Sequence, residues 1–174
     1  AFFNSLFTVS MTVILGIFVN SMMAYALARF HFKGREVLLS IVIALIIIPF
    51  EAVAVPLLLL ANQLPWFDGT FGWLDSYQVQ IIPFIANAFS VYLFYQFFIA
   101  LPKDLEEAAL MDGATLWRIY WSILLPLSKP VIATVAVLQF LARWGDLLWP
   151  VMVVRGDKFA TLPLAMQTFF GQFP

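Results

Sequence analysis

Long apolar runs broken by short polar interruptions set the pattern of this chain. Ala1 to Ala28 carries no charge, Val37 to Ala61 carries only Glu51, and Tyr77 to Leu101 is again uncharged. A helix needs about 20 mostly apolar residues to cross about 30 Å of hydrocarbon, and each of these runs is long enough. A fourth run, Pro130 to Val154, has the length but contains Arg143 and Asp146. Those two stand three apart, so they can pair on one side of a helix. The pattern predicts one all-α domain over 1–174, a polytopic transmembrane bundle with spans at about 1–28, 37–61, 77–101 and 130–154.

The polar intervals orient the spans. Arg29, Lys33 and Arg35 lie between the first two runs, whereas Asn62 to Ser76 has no lysine or arginine. Basic loops stay in the cytoplasm, which places 102–129, with Lys103, Arg118 and Lys129, on that side as well. Alternation sends Arg155 and Lys158 outside, against the bias of the first two loops. The outer loop is rich in Pro, Gly and Trp, and Trp66, Trp73 and Tyr77 suit an aromatic belt at headgroup level.

Composition agrees with a membrane chain and removes several function classes. Hydrophobic residues make up 63% of the 174 positions and charged residues 11%, with a mean hydropathy of +0.96. The net charge of -1 and the lack of a basic run give no footprint for nucleic acid. There is no cysteine and only His31, so neither a metal site nor a cysteine or histidine catalytic site is expected. No phosphate-cradling G-x-x-x-x-G-K-[ST] loop occurs, and no cofactor is implied. The chain opens at Ala1 in mid-hydrophobic sequence, as an internal fragment would.

The most informative interruption is "DLEEAALMDGATLWRIYWSILLP", from Asp104 to Pro126. Asp104 and Glu107 have the spacing of a capping box, which predicts a short helix starting at Leu105. Gly113 can close that helix in the left-handed conformation. Thr115 can cap a second, amphipathic helix that Pro126 ends or kinks. Leu105, Ala108, Ala109 and Asp112 share one face of the first helix, where two alanines permit a partner to come close. The acids equally suit the positive end of a helix dipole on a solvated face, and both readings stand on the residues alone.

Glu107, Ala108, Ala109, Gly113, Ile123, Leu125 and Pro126 match the pattern Glu-Ala-Ala, three residues, Gly, nine residues, Ile-x-Leu-Pro. The chain thereby resembles the permeases of binding-protein-dependent ABC importers, whose EAA loop has this spacing. The further stretches "AYALARFHFKGR", "IPFEAVAVPLLL", "LPKDLEEAALMDGAT" and "TLPLAMQTFFGQ" resemble the carbohydrate-uptake branch, maltose-type permeases of the second subunit kind. That branch usually has Trp-Asn where this chain has Trp144 and Gly145. The resemblance implies six spans, of which those here match the second to the fifth.

It further implies a bacterial inner-membrane location, a sister permease, an extracytoplasmic solute-binding protein and a cytoplasmic ATPase dimer that performs the hydrolysis. In that arrangement Glu107 contacts the ATPase, Ala108 and Ala109 allow close seating, Gly113 makes the bend, and Asp112, Ile123, Leu125 and Pro126 belong to the same docking loop. A sugar or oligosaccharide would cross between the spans by alternating access. An amino-acid or peptide importer is the alternative within the family, and an ion-coupled secondary transporter the alternative outside it.

Charged groups inside spans are costly and call for a reason. Glu51, between Pro49 and Pro56, suits either a pathway role beside a proline-broken helix or a snorkelling position in the outer third of its span. Arg143 and Asp146 suit an internal ion pair. Asn87, Gln139 and Trp144, with Glu51 and Asp146, are the candidate lining of a translocation pathway.

Overall fold

A computed structural model describes residues 1–65 and 72–172, so Trp66 lies outside the described residues. Helix α1 (Phe2–Arg29) is an unbroken rod of 28 residues, about 42 Å at 1.5 Å per residue. Its amphipathicity runs opposite to that of a soluble helix. Phe3, Phe7, Ile14 and Phe18 face outward, while Thr8, Thr12, Gly16, Asn20 and Ser21 are buried at helical spacing. Lipid tails are as apolar as leucine, so small and polar residues that let backbones approach form the seam between helices. Thr8 and Thr12 satisfy their hydroxyls on the carbonyls of Asn4 and Thr8, at 2.8 and 2.7 Å.

The run expected to form one span over 37–61 is two helices, α2 (Arg35–Ile47) and α3 (Phe50–Gln63), meeting at 106°. The break falls at Ile48 and Pro49, because the proline ring excludes the helical conformation from the residue before it. Ile48 is accordingly extended, with φ -76° and ψ 118°. Pro56 is carried inside α3.

The third run is α4 (Tyr77–Ile81), a 3-10 turn over Ile82–Phe84, and α5 (Ala88–Ala100). Next come α6 (Asp104–Met111), α7 (Leu116–Ile119), a π-helical turn over Tyr120–Leu124, and α8 (Leu125–Leu127). The fourth run divides into α9 (Lys129–Trp144) and α10 (Leu148–Val153), and α11 (Leu162–Gln172) follows.

Helix α1 packs along α5 and α9, which also touch each other, and α2 lies on α5. Phe94, Phe98, Tyr120, Leu27 and Val135 centre the main cluster. A second cluster joins α3, α4 and α10 around the fully buried Trp149, whose Nε1–H donates to the Val79 carbonyl at 2.8 Å. The two ends of the bundle are chemically distinct. At one, Arg35 reaches the Leu27 carbonyl and the α1, α5 and α6 termini meet. At the other, Asn4 Nδ2 donates to the carbonyls of Lys158 and Ala160, and Tyr77 Oη donates to Asn4 Oδ1 at 2.9 Å. Tyr77 is half-buried there and meets the rings of Phe7 and Phe159 edge-on.

Candidate functional site

Helix α6 starts one residue earlier than its acids predict. Lys103 is already helical, at φ -70° and ψ -24°, and its carbonyl accepts from the amides of Glu106 and Glu107 at 2.9 and 3.0 Å. Asp104 therefore sits inside the first turn, not at the cap, and the capping box with Glu107 does not form. The acids remain favourably placed at the positive end of the helix dipole. Gly113 takes φ +79° as expected, and the amides of Gly113 and Ala114 donate back to Leu110 and Ala109. That bond pair is a Schellman closure. Thr115 Oγ1 accepts from the Arg118 amide at 3.3 Å, which caps α7 as the sequence predicts.

The two sides of α6 differ. Glu106 and Ala109 face the bundle, Glu106 paired with the Arg29 guanidinium at 2.5 Å and Ala109 packed against the main cluster. Leu105, Glu107, Ala108, Met111 and Asp112 are exposed, and the Glu107 carboxylate has no bonded partner among the described residues. Ala109 thus leaves the exposed face that the spacing assigns to Leu105, Ala108 and Asp112.

The second half of the motif belongs to the bundle. Ile119, Tyr120 and Leu124 are buried, Ile123 and Leu125 are half-buried against the same cluster, and Tyr120 Oη lies 2.8 Å from Ser21 Oγ. Pro126 lacks an amide and its ring crowds the carbonyl one turn back, and the π turn widens the helix at that point. The chain bends by 75° two residues later, at Ser128, whose hydroxyl donates to the Leu124 carbonyl.

A second polar feature lies halfway along α1, where the helices are broken. Asn20, fully buried, donates to the Ile85 carbonyl at 3.0 Å and accepts from the Asn87 amide at 2.9 Å. It thereby satisfies the backbone freed between the 3-10 turn and α5. Asn87 Oδ1 accepts from the amide and hydroxyl of Ser90, and Gln139 Nε2 donates to Ser90 Oγ at 3.1 Å. Gln139 Oε1 is buried without a bonded partner among the described residues.

Beside this chain opens a cleft of about 330 Å³ lined by Thr12, Phe50, Phe84, Asn87, Gln139 and the Arg143–Asp146 pair. Arg143 lies 2.7 Å from Asp146 and 3.5 Å from the centre of the Phe84 ring, and Asp146 Oδ1 also accepts from the Trp149 amide. A larger groove between α1 and α9 is almost wholly apolar, with Ser10 as its one polar side chain.

Of the pathway candidates, Asn87, Gln139 and Asp146 come together. Glu51 stands apart on the exposed first turn of α3, although its neighbour Phe50 lines the cleft. Trp144 stacks on Phe140 and meets Phe2 edge-on, outside the cleft lining. Arg29, Glu106, Asn20, Ser90 and Thr12 were not singled out as site residues from the sequence. The recurrence of small polar residues along α1 every three or four positions was the available signal for Thr12 and Asn20.

These features define a polytopic helical membrane protein with a polar cleft inside the bundle and an exposed, glycine-closed helical hairpin at one end. Residues 12–173 match the family described as binding-protein-dependent transport system inner membrane component, and the chain belongs to that family. It is 36% identical, over 99% of its length, to the arabinooligosaccharides transport system permease protein AraQ of Bacillus subtilis (strain 168), of which it covers 59%. It is 34% identical, over 91% of its length, to the sn-glycerol-3-phosphate transport system permease protein UgpE of Yersinia enterocolitica, covering 54% of it. The fold matches, at a TM-score of 0.85 and 24% identity, a chain of a bacterial ABC transporter involved in the import of the acidic polysaccharide alginate, over all of this chain and 59% of that one. The chain thus spans somewhat over half the length of these relatives.

Proposed function

We propose that the chain forms the membrane path of an ATP-driven importer for a neutral sugar or oligosaccharide, working with a sister permease, a solute-binding protein and a cytoplasmic ATPase dimer. The observation that carries this reading is the asymmetry of α6, fastened to the bundle by Glu106 and Ala109 and bare along Glu107, Ala108 and Asp112. The bare side is the ATPase-docking surface, and Gly113 sets its turn. Ile123 and Leu125 support the hairpin from within rather than touching the ATPase, whereas Pro126 is exposed beside them. ATP-driven closure of the partner dimer moves α6, and the bundle switches the cleft between outward and inward access.

The cleft supports a neutral solute. Its single cation is compensated by Asp146 and covered by Phe84, so an anion such as a glycerol phosphate finds no free positive charge there. Hydroxyl-rich solutes find Asn87, Gln139 and Thr12 for hydrogen bonds and aromatic rings for their apolar faces. In reconstituted transporter, Glu107→Lys should release the ATPase and lower uptake at least tenfold while the permeases stay folded. Retained ATPase and unchanged uptake would remove the docking role. Uptake that continues without ATP but collapses with a protonophore would favour an ion-coupled carrier instead.

A further inference from the structure

Glu106 and Glu107 are neighbours in sequence, yet Glu106 turns toward the bundle and Glu107 toward the exposed side of α6. The Glu106 and Arg29 side chains are only 12% and 6% exposed. Arg29 stands in the last turn of α1, and its Nη2 also donates to the Leu101 carbonyl, which caps the end of α5, at 3.0 Å. One guanidinium therefore joins α1, α5 and α6. Its planar fork can hold a carboxylate and a carbonyl together, which a lysine ammonium cannot do with the same geometry.

A buried ion pair adds little net stability, because desolvation offsets the attraction. A favourable dipole interaction alone would be met by an exposed acid, as Glu107 shows on the same turn. What burial of Glu106 provides is position. Short segments flank α6, Leu101 to Lys103 on one side and Asp112 to Thr115 on the other, and the pair fixes the helix between them against the ends of α1 and α5.

We propose that the Arg29–Glu106 pair is the strut that passes movement of α6 to α1 and α5, making both residues positioning groups for coupling. The acidic stretch thus has two separate tasks, with Glu107 turned toward the partner and Glu106 toward the bundle. This inference rests on the ATP-driven importer reading.

The test uses the complete assembly, with sister permease, ATPase and solute-binding protein, in proteoliposomes. Glu106→Gln and Arg29→Gln should keep the ATPase bound and lower the solute carried per ATP hydrolysed by about tenfold, the size of a modest coupling free energy. Combining Arg29→Glu with Glu106→Arg should recover about threefold over either single change, less than fully because the geometry at the Leu101 carbonyl is altered. Hydrogen exchange of the amides from 104 to 111 gives a readout independent of transport. It should quicken about tenfold in Glu106→Gln and stay unchanged in Glu107→Gln.

Unchanged exchange overturns the tether itself. Faster exchange with an unchanged transport-to-ATP ratio overturns its role in coupling. Loss of the ATPase from Glu106→Gln as complete as from Glu107→Lys makes Glu106 a docking residue and overturns the division of tasks. Wild-type assembly without ATP-dependent uptake sinks the importer reading, and the coupling role with it, while exchange still reports on the tether.

Discussion

Arg29 and Arg143 are both buried against a carboxylate, yet their pairs are built differently. Arg143 pairs with Asp146 three positions on, beside the start of α10, so the ion pair stays within one stretch around the α9 break. The Phe84 ring that covers it comes from the 3-10 turn. Arg29 pairs with Glu106 and bonds Leu101, a residue 72 positions away, so its contacts cross between elements that would otherwise move separately. The local pair cancels charge inside a cleft, and the long-range pair fixes one element on others. The same chemistry thus lies within a cleft lining in one place and between separate helices in the other.

The largest expected effect comes from breaking the local pair. Asp146→Leu leaves the Arg143 guanidinium with only the Phe84 ring and costs about 3 kcal/mol, the lower end for a buried pair because both side chains keep some exposure. Thermal unfolding in detergent measures it. Asp146→Asn, which preserves shape, leaves a net positive charge in the cleft. Uptake of an acidic oligosaccharide relative to a neutral one should then rise, and an unchanged ratio would remove charge cancellation from the selectivity of this cleft.

Asn20→Leu comes next. It orphans the Ile85 carbonyl and the Asn87 amide, each worth about 1 kcal/mol or more when buried unpaired, for a loss of about 2 kcal/mol. Asn87→Ala removes only the cap on Ser90 and should cost about 1 kcal/mol. Equal losses from the two would mean that Asn20 is not the group holding the broken span.

How far these features could be read from the sequence follows from the range of the contacts. The Gly113 turn, the Thr115 cap and the Arg143–Asp146 pair depend on residues within a few positions, and periodicity and residue type suffice for them. Pro49 acts on its own neighbour and so marks a candidate break, but the length and apolarity of 37–61 read as one span and carry no sign of a 106° bend. The interruption from Ile82 to Asn87 carries a local signal in Pro83, but the group that stabilises it, Asn20, stands 65 and 67 residues away, and no local pattern announces that partner. Glu106 could not be separated from Glu107 by spacing, because only the approach of Arg29 decides which acid turns inward. The capping box failed for a subtler reason, since the backbone of Lys103 entered the helix first and moved every later position by one.

Gly16→Ala probes the cleft through packing rather than charge. An added Cβ would stand 2.8 Å from Gln139 Oε1 and 3.2 Å from the Ile85 carbonyl. The glutamine can swing away but the carbonyl cannot, so a loss of about 1.5 kcal/mol is expected, in the range of overpacked sites. The displaced Gln139 should also raise the apparent KM for the solute, and Gln139→Ala should raise it alike. An unaltered KM in both would take Gln139 out of the pathway.

Gly113→Ala is expected to cost no more than Asn87→Ala, and it separates conformation from space. Nothing lies within 4 Å of where its Cβ would be, so no clash arises, but φ +79° is a conformation that L-residues reach at a cost of about 1 kcal/mol. Asn tolerates that region better than Ala, so Gly113→Asn should lose less than Gly113→Ala in thermal unfolding. If Arg29–Glu106 holds the start of α6, the strain should loosen the hairpin at its far end only. Hydrogen exchange should quicken at Ala114 and Thr115 before it does at Glu106 and Glu107. Equal quickening along the whole helix would mean that the glycine turn, and not the ion pair, decides where α6 sits.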